Sequence, residues 1–277
     1  MSQKANLQTV RKFVRTINLL TFSPIEFLRG LTFSNYFHDF FRKKNVLVNS
    51  LNLNFLGNKA QLTISLFVCT SKIKFLANQI TTVKVLKPQL KDQVSNFIFK
   101  ELNFLGINFL VLKFLLLNKF CLSFKRNLYL KTLFLKLRTF KDVLFARRNS
   151  LFFDLLKISF LFTKGLVTSK LFLSLLVQTF KILPKRRHAR FLSFIKKVFK
   201  ILTDEEHKNL INKPSGSLLG LKCLISGKLK GKLRTQRFHI QHGKLALQTI
   251  SKNIEYSKLH AFTRYGTFGF KIWVFRN

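Results

Sequence analysis

Acidic residues are nearly missing from this chain. Ten Asp and Glu stand against 50 Lys and Arg in 277 residues, a formal net charge of +40. A compact protein does not carry that excess unopposed, because self-repulsion strains the folded state. A polyanion must neutralise it: nucleic-acid phosphate first, an anionic membrane second. The shortage also excludes chemistry. Hydrolases and nucleases need clustered carboxylates or a His–carboxylate set, and two-metal polymerase or maturase sites need paired Asp. Here the acids are scattered, apart from Asp204, Glu205 and Glu206. That triplet follows Thr203, and the Thr-x-x-Glu spacing predicts a helix start, with Thr203 as N-cap and Glu206 closing a capping box. The acids would suit the positive end of that helix dipole, and Pro214 and Gly216 would end the helix.

Other absences narrow the field. The three cysteines, Cys69, Cys121 and Cys223, are far apart and odd in number. They suggest neither a disulfide framework nor a CxxC metal site, and they read as small core residues. No phosphate-cradling glycine loop occurs. His239 and His242 lack the Cys or acid companions that structural zinc wants, and read as RNA contacts or surface positions. No metal, cofactor, small-molecule substrate or enzymatic activity is expected. Long uncharged apolar runs are also missing. Leu102–Leu112 is stopped by Lys113, Phe114–Asn118 by Lys119 and Leu171–Phe180 by Lys181, each short of the roughly 18–20 residues a spanning helix needs. A stable membrane span is not expected. An amphipathic surface helix in 102–180 is the stronger membrane alternative.

What the chain does have is apolar residues at 47%, with 34 Phe. A disordered basic tail would be poor in aromatics. The interleaving of apolar with basic residues predicts elements with one buried face and one phosphate-facing face. Abundant Phe, Lys, Asn and Ile, with few Gly and Pro, follow AT-rich codons and fit an organellar genome.

Residues 1–16 read as a basic arm. Ser23-Pro24 opens a helical pattern that runs to Lys44. From Asn45 the period changes to two. Val46, Val48, Leu51, Leu53 and Phe55 alternate with a slip near Ser50, Gly57-Asn58 turns the chain, and Leu62, Ile64, Leu66 and Val68 return it as a hairpin. A third short strand is expected over Thr82–Leu86. Residues 103–165 are rich in Leu, Phe and Lys without turn chemistry, and read as a basic helical insertion. In Lys185–Lys200 seven basic residues occur without an acid. Phe191, Phe194, Ile195, Val198, Phe199 and Leu202 form an apolar helical stripe, with Arg186, Arg190 and Lys197 opposite.

Seven of the eleven glycines fall between Gly216 and the C-terminus. Leu221, Cys223 and Ile225 alternate into Gly227, Leu233–Ile240 can be a second strand, and Phe268, Phe270, Ile272 and Val274 make a third. The segment Gly220-Leu-Lys-Cys-Leu-Ile-Ser-Gly227-Lys228-Leu229, then Arg234-Thr235, and the ending Tyr265-Gly266-Thr-Phe-Gly269-Phe-Lys271-Ile272-Trp273-Val-Phe275 resemble, in order and spacing, the universal small-subunit ribosomal protein S-three family. The basic helix stands where that family carries an Arg-rich helix. Fainter similarity lies in Met1-Ser2-Gln3-Lys4 and in Val85-Leu86-Lys87-Pro88-Gln89-Leu90.

The resemblance implies an α+β protein in three parts. Residues 1–102 would be a reduced KH-like domain with a basic arm, 103–165 the insertion, and 166–277 a two-layer domain of helices on an antiparallel sheet. The family's GXXG clamp is missing between the hairpin and Lys87-Pro88, so the helices that carry it read as deleted. The Met-Ser-Gln-Lys start would mean a mature N-terminus made inside the organelle. The expected partners are small-subunit rRNA, mRNA and neighbouring ribosomal proteins of the head. The mitochondrial matrix is the expected compartment, with a plastid as the alternative. Lys185, Arg186, Arg187, Arg190, Lys196 and Lys197 would face incoming mRNA. Lys200, Arg147, Arg148, Lys228, Lys230, Lys232, Arg234 and Arg237 complete the candidate RNA contacts. A basic protein lying on an organellar membrane is the alternative function.

Overall fold

A computed structural model describes residues 46–56, 59–69, 109–118, 128–145, 149–208, 218–229, 234–249 and 252–276. The chain divides into two compact units, one of residues 33–122 and one that includes residues 123–277.

In the first unit β1 (Val46–Leu56) and β2 (Lys59–Val68) form the expected antiparallel hairpin. The slip near Ser50 is real: register shifts between Val48 and Ser50, and the Ser50 and Ser65 hydroxyls bond at 2.7 Å. The third strand differs from expectation. β3 (Phe109–Leu116) runs parallel to β2, inside the segment expected to be helical. A run of eight residues, apolar except for Lys113, has no period that separates strand from buried helix. Here the free side of β2 takes it as a partner, and residues 69–108 exceed the dozen or so that a parallel crossover needs. The strand expected at Thr82–Leu86, and the segment up to Lys87-Pro88 whose missing GXXG suggested deleted KH helices, lie outside the described residues. The buried Asn118 closes this sheet: its Oδ1 accepts from the Val68 amide and its Nδ2 donates to the Val68 carbonyl, both at 2.9 Å.

The second unit begins with four helices: α1 (Leu128–Phe145), α2 (Asn149–Thr163), α3 (Ser169–Ile182) and α4 (Lys185–Lys208). Four strands follow: β4 (Leu218–Gly227), β5 (Gln236–Gly243), β6 (Ile254–Thr263) and β7 (Gly266–Arg276). They pair antiparallel in the order β5-β4-β7-β6. Helix α3 packs on β6 and β7 and α4 on β4 and β5, which makes the expected two layers. The core between them is aromatic. Phe180 meets Phe268 at 4.9 Å and Phe270 at 5.2 Å, edge to face. Phe162 stacks on Phe172 at 4.6 Å.

Two corrections apply here. Thr203 is not an N-cap. Helix α4 continues unbroken to Lys208, and the buried Thr203 hydroxyl donates back to the carbonyls of Phe199 and Lys200 at 3.1 Å. The apolar stripe through Phe199 and Leu202 rewards continuing the helix more than a cap would reward ending it. The second correction is β6, which the alternation rule passes over. Its core face carries Glu255, Ser257, Leu259 and Ala261, two of them polar. Glu255 meets the buried Arg276 at 3.5 Å and accepts from the Ser169 amide, while the Ser257 and Ser169 hydroxyls bond at 2.7 Å. Arg276 also donates to the Phe162 carbonyl at 2.9 Å, tying the end of α2 to the last strand.

Among the described residues no helix is long and apolar enough to cross a membrane.

Candidate nucleic-acid interface

The basic surface is organised by what must be buried in α4. Phe191, Leu192, Phe194, Ile195, Val198 and Phe199 face inward, each under a tenth exposed. Helical periodicity then sends Lys185, Arg186, Arg190, Lys196, Lys197 and Lys200 outward, and all six are exposed. His188, in the middle of the basic run, is 4% exposed and sets this rotation. Its ring stacks on Phe180 at 4.0 Å, and its Nε2 lies 3.0 Å from the Leu183 carbonyl, which assigns it as the N–H donor. Burial holds its pKa below the usual histidine value and Lys185 adds to this, against the carbonyls of Leu183 and Phe180. The imidazole is thus a neutral core group, and the run is basic without it.

Arg187 also has a partner inside the fold. It is half-buried, and its Nη1 donates to the Leu144 carbonyl at 3.1 Å. Leu144 lies at the end of α1, where carbonyls lack intrahelical partners. Arg187 therefore joins α4 to α1. Around it Phe194 meets Phe140, Phe145 and Phe152 at 5.6, 5.8 and 6.4 Å. The hairpin of α1 and α2 is thus docked on the basic helix by a phenylalanine cluster. Lys197 lies 5.5 Å from the Phe140 ring and remains exposed.

The sheet contributes a second set at one of its ends. The strand register puts the β4–β5 connection and the β6–β7 turn at the same end, because Ser226 pairs with both Arg237 and Gly269 and Gly269 pairs with His260. Lys185 at the start of α4 sits over the Tyr265 ring at 5.7 Å, which brings the helix N-terminus to that end too. Lys185, Arg186, Lys228 and Arg234 are all exposed there, with Tyr265 44% and Phe262 69% exposed. Helix α4 has no acid in its first turn. The positive end of its dipole adds to the side-chain charge instead of being offset. Lys196, Lys197 and Lys200 lie farther along α4, roughly 16–22 Å from Lys185 at 1.5 Å per residue. Arg237 is exposed on the sheet face turned away from the helices. Arg147, Arg148, Lys230 and Lys232 lie outside the described residues.

The glycines of the C-terminal segment answer to close packing. A Cβ on Gly227, whose φ is +152°, would stand 2.3 Å from the Phe268 ring, and one on Gly220 would stand 2.0 Å from the Lys244 carbonyl oxygen. Gly266 holds φ of +120° as the first residue of β7, straight after the two-residue β6–β7 turn. His239 and His242 point to opposite faces of β5, since His239 pairs with Leu224 and His242 with the core residue Leu221. One metal ion cannot take both from that strand.

This glycine-pinned sheet coincides with a known family model. Residues 208–274 match the family model "Ribosomal protein S3, C-terminal domain". The C-terminal segment of this chain is similar to the C-terminal domain of ribosomal protein S3. Among the S3 relatives is the small ribosomal subunit protein uS3 of Borrelia duttonii, 34% identical over 68 residues, which cover 24% of this chain and 25% of that one. The uS3 of Thermosipho africanus is 35% identical over 69 residues, 25% of this chain and 33% of that one. The uS3c of Guillardia theta is 39% identical over 56 residues, 20% of this chain and 26% of that one. The matched region spans a quarter to a third of the length of these S3 proteins. It takes in β4, β5, β6 and nearly all of β7, while the four helices lie before it apart from Lys208, the last residue of α4.

Proposed function

We propose that this chain is a structural protein of a small ribosomal subunit, the mitochondrial one, binding rRNA in the head and presenting the N-terminal half of α4 to mRNA at its entry. The observation that carries the reading is the S3 C-terminal domain joined to a helix with six exposed cations and none of its early turns acidic. Exposed Lys and Arg bind phosphate with release of condensed counterions, and the guanidinium of Arg186 or Arg190 can fork onto a phosphate. Lys185, Lys228 and Arg234 extend that surface around the end of the sheet, while Lys196, Lys197 and Lys200 suit docking on rRNA. The AT-rich residue usage favours an organelle, and the relatives named small ribosomal subunit protein favour the subunit. The chain has no catalytic role in this reading.

Arg186→Gln with Arg190→Gln tests the mRNA role. Arg187 stays unchanged, because it holds α1. The expected result is slower translation through mRNA hairpins at normal subunit abundance. Equal loss of both would reduce α4 to an rRNA-docking face. The rival reading, a basic protein on an organellar membrane, requires retention on anionic lipid after RNase and high salt.

A further inference from the structure

The face of the β5-β4-β7-β6 sheet turned away from the helices is used by nothing above except Arg237. Register lays it out in three cross-strand rows. The first is Gln241, Lys222, Trp273 and Tyr256; the second His239, Leu224, Lys271 and Lys258; the third Arg237, Ser226, Gly269 and His260. Rows on one face are about 7 Å apart along the strands. All twelve residues are exposed or half-exposed. None is acidic, and Glu255, the single acid after Glu206, points to the opposite face.

Two features of this face call for a ligand. Lys258 and Lys271 are direct cross-strand partners and both exposed. Like charges placed opposite one another destabilise a sheet, so the free protein bears a cost that an anion would remove. Beside them Tyr256 and Trp273 lie ring to ring at 5.4 Å, with the Lys222 ammonium 5.9 Å from the Trp273 ring. Half-exposed aromatics next to unopposed cations fit one ligand class well. Single-stranded nucleic acid offers unpaired bases to the rings and phosphates to the cations. Duplex RNA would offer phosphates but no free base faces.

We propose that this outer sheet face is a second RNA surface, taking a single-stranded segment whose bases stack on Tyr256 and Trp273 and whose phosphates lie along Lys258, Lys271 and Lys222. It is separate from the α4 surface and does not depend on the ribosomal reading. It gives Lys271 and Trp273 a role in the ligand rather than in the core, since neither side chain is on the buried face.

Trp273 is the only tryptophan in the chain, so its fluorescence reports this site alone. The full chain is titrated with an unstructured single-stranded RNA of about twelve nucleotides, with the same sequence as a duplex, and with anionic vesicles. The single strand should quench Trp273 saturably, and the duplex should quench it far less. Lys258→Gln with Lys271→Gln should weaken the quench about tenfold while leaving thermal stability equal or higher, because like-charge opposition is relieved. Tyr256→Leu should also weaken binding about tenfold, the scale of one lost base stack. Arg186→Gln with Arg190→Gln should leave the quench unchanged, which separates this site from α4. Absence of quench, a quench unaffected by the lysine pair, or quench by vesicles and not by RNA would each overturn the proposal. Protection of Trp273 by a neighbouring protein, with no RNA contact in intact subunits, would overturn it as well.

Discussion

At the residue scale, the surface chemistry depends on a few buried or strained positions. Gly227→Ala forces a Cβ into the Phe268 ring at a φ that L residues avoid. The expected loss is about 2–4 kcal/mol in chemical denaturation. Arg276 has its guanidinium between the Phe162 carbonyl and Glu255, with the Phe162 ring 4.7 Å away. Arg276→Met keeps the length and removes the charge, leaving Glu255 without its cation. Glu255 is 33% exposed, so solvent screens part of the effect, and the expected loss is roughly 1–3 kcal/mol. His188 predicts a pH dependence. Its folded pKa lies below the unfolded value near 6.5, so the folded state binds the proton less well. Its contribution to stability is full above about pH 6.5 and is lost as pH falls through the interval beneath it. Denaturation midpoints should therefore drop more between pH 7.5 and 5.5 in the wild type than in His188→Gln. Equal drops would remove His188 from that account.

At the element scale, α4 serves as core and scaffold and, in the proposed function, as interface, and its side chains divide accordingly. Arg187→Ala should destabilise the docking of α1 by about 1–2 kcal/mol, since a part-buried charged donor to a helix-end carbonyl is lost. RNA affinity should hardly change. Arg190→Ala should do the reverse, weakening RNA binding and reducing its salt dependence by about one phosphate contact. The sequence alone discloses α4, β4, β7 and the β1–β2 hairpin, because each carries large apolar residues at a clean period. It discloses even the irregularity at Ser50. It does not disclose β6, whose inward face is Glu255, Ser257, Leu259 and Ala261 and whose partners come from α3 and β7. Nor does it disclose β3, whose run is apolar on every residue but Lys113. Thr203 misleads because a hydroxyl that caps a helix start can equally donate to the preceding turn. The six exposed cations of α4 follow from its apolar stripe. Arg187 could be told from Arg186 only by knowing where α1 ends. The outer sheet face was hidden with β6, since Tyr256 and Lys258 complete its rows.

At the scale of the whole molecule, a chain of +40 must have a polyanion, and in the proposed ribosomal reading that polyanion is RNA. Its cations are spread over α4, one end of the sheet and the outer sheet face. Its hold on RNA should accordingly be broad and steeply salt-dependent. The most direct test is sedimentation of mitochondrial lysate through a sucrose gradient at moderate salt, with this chain followed by immunoblot. It should travel with the small ribosomal subunit and leave that position when the lysate is treated with RNase. Sedimentation away from the subunit, with the chain held on membranes after RNase and high salt, would contradict the ribosomal account.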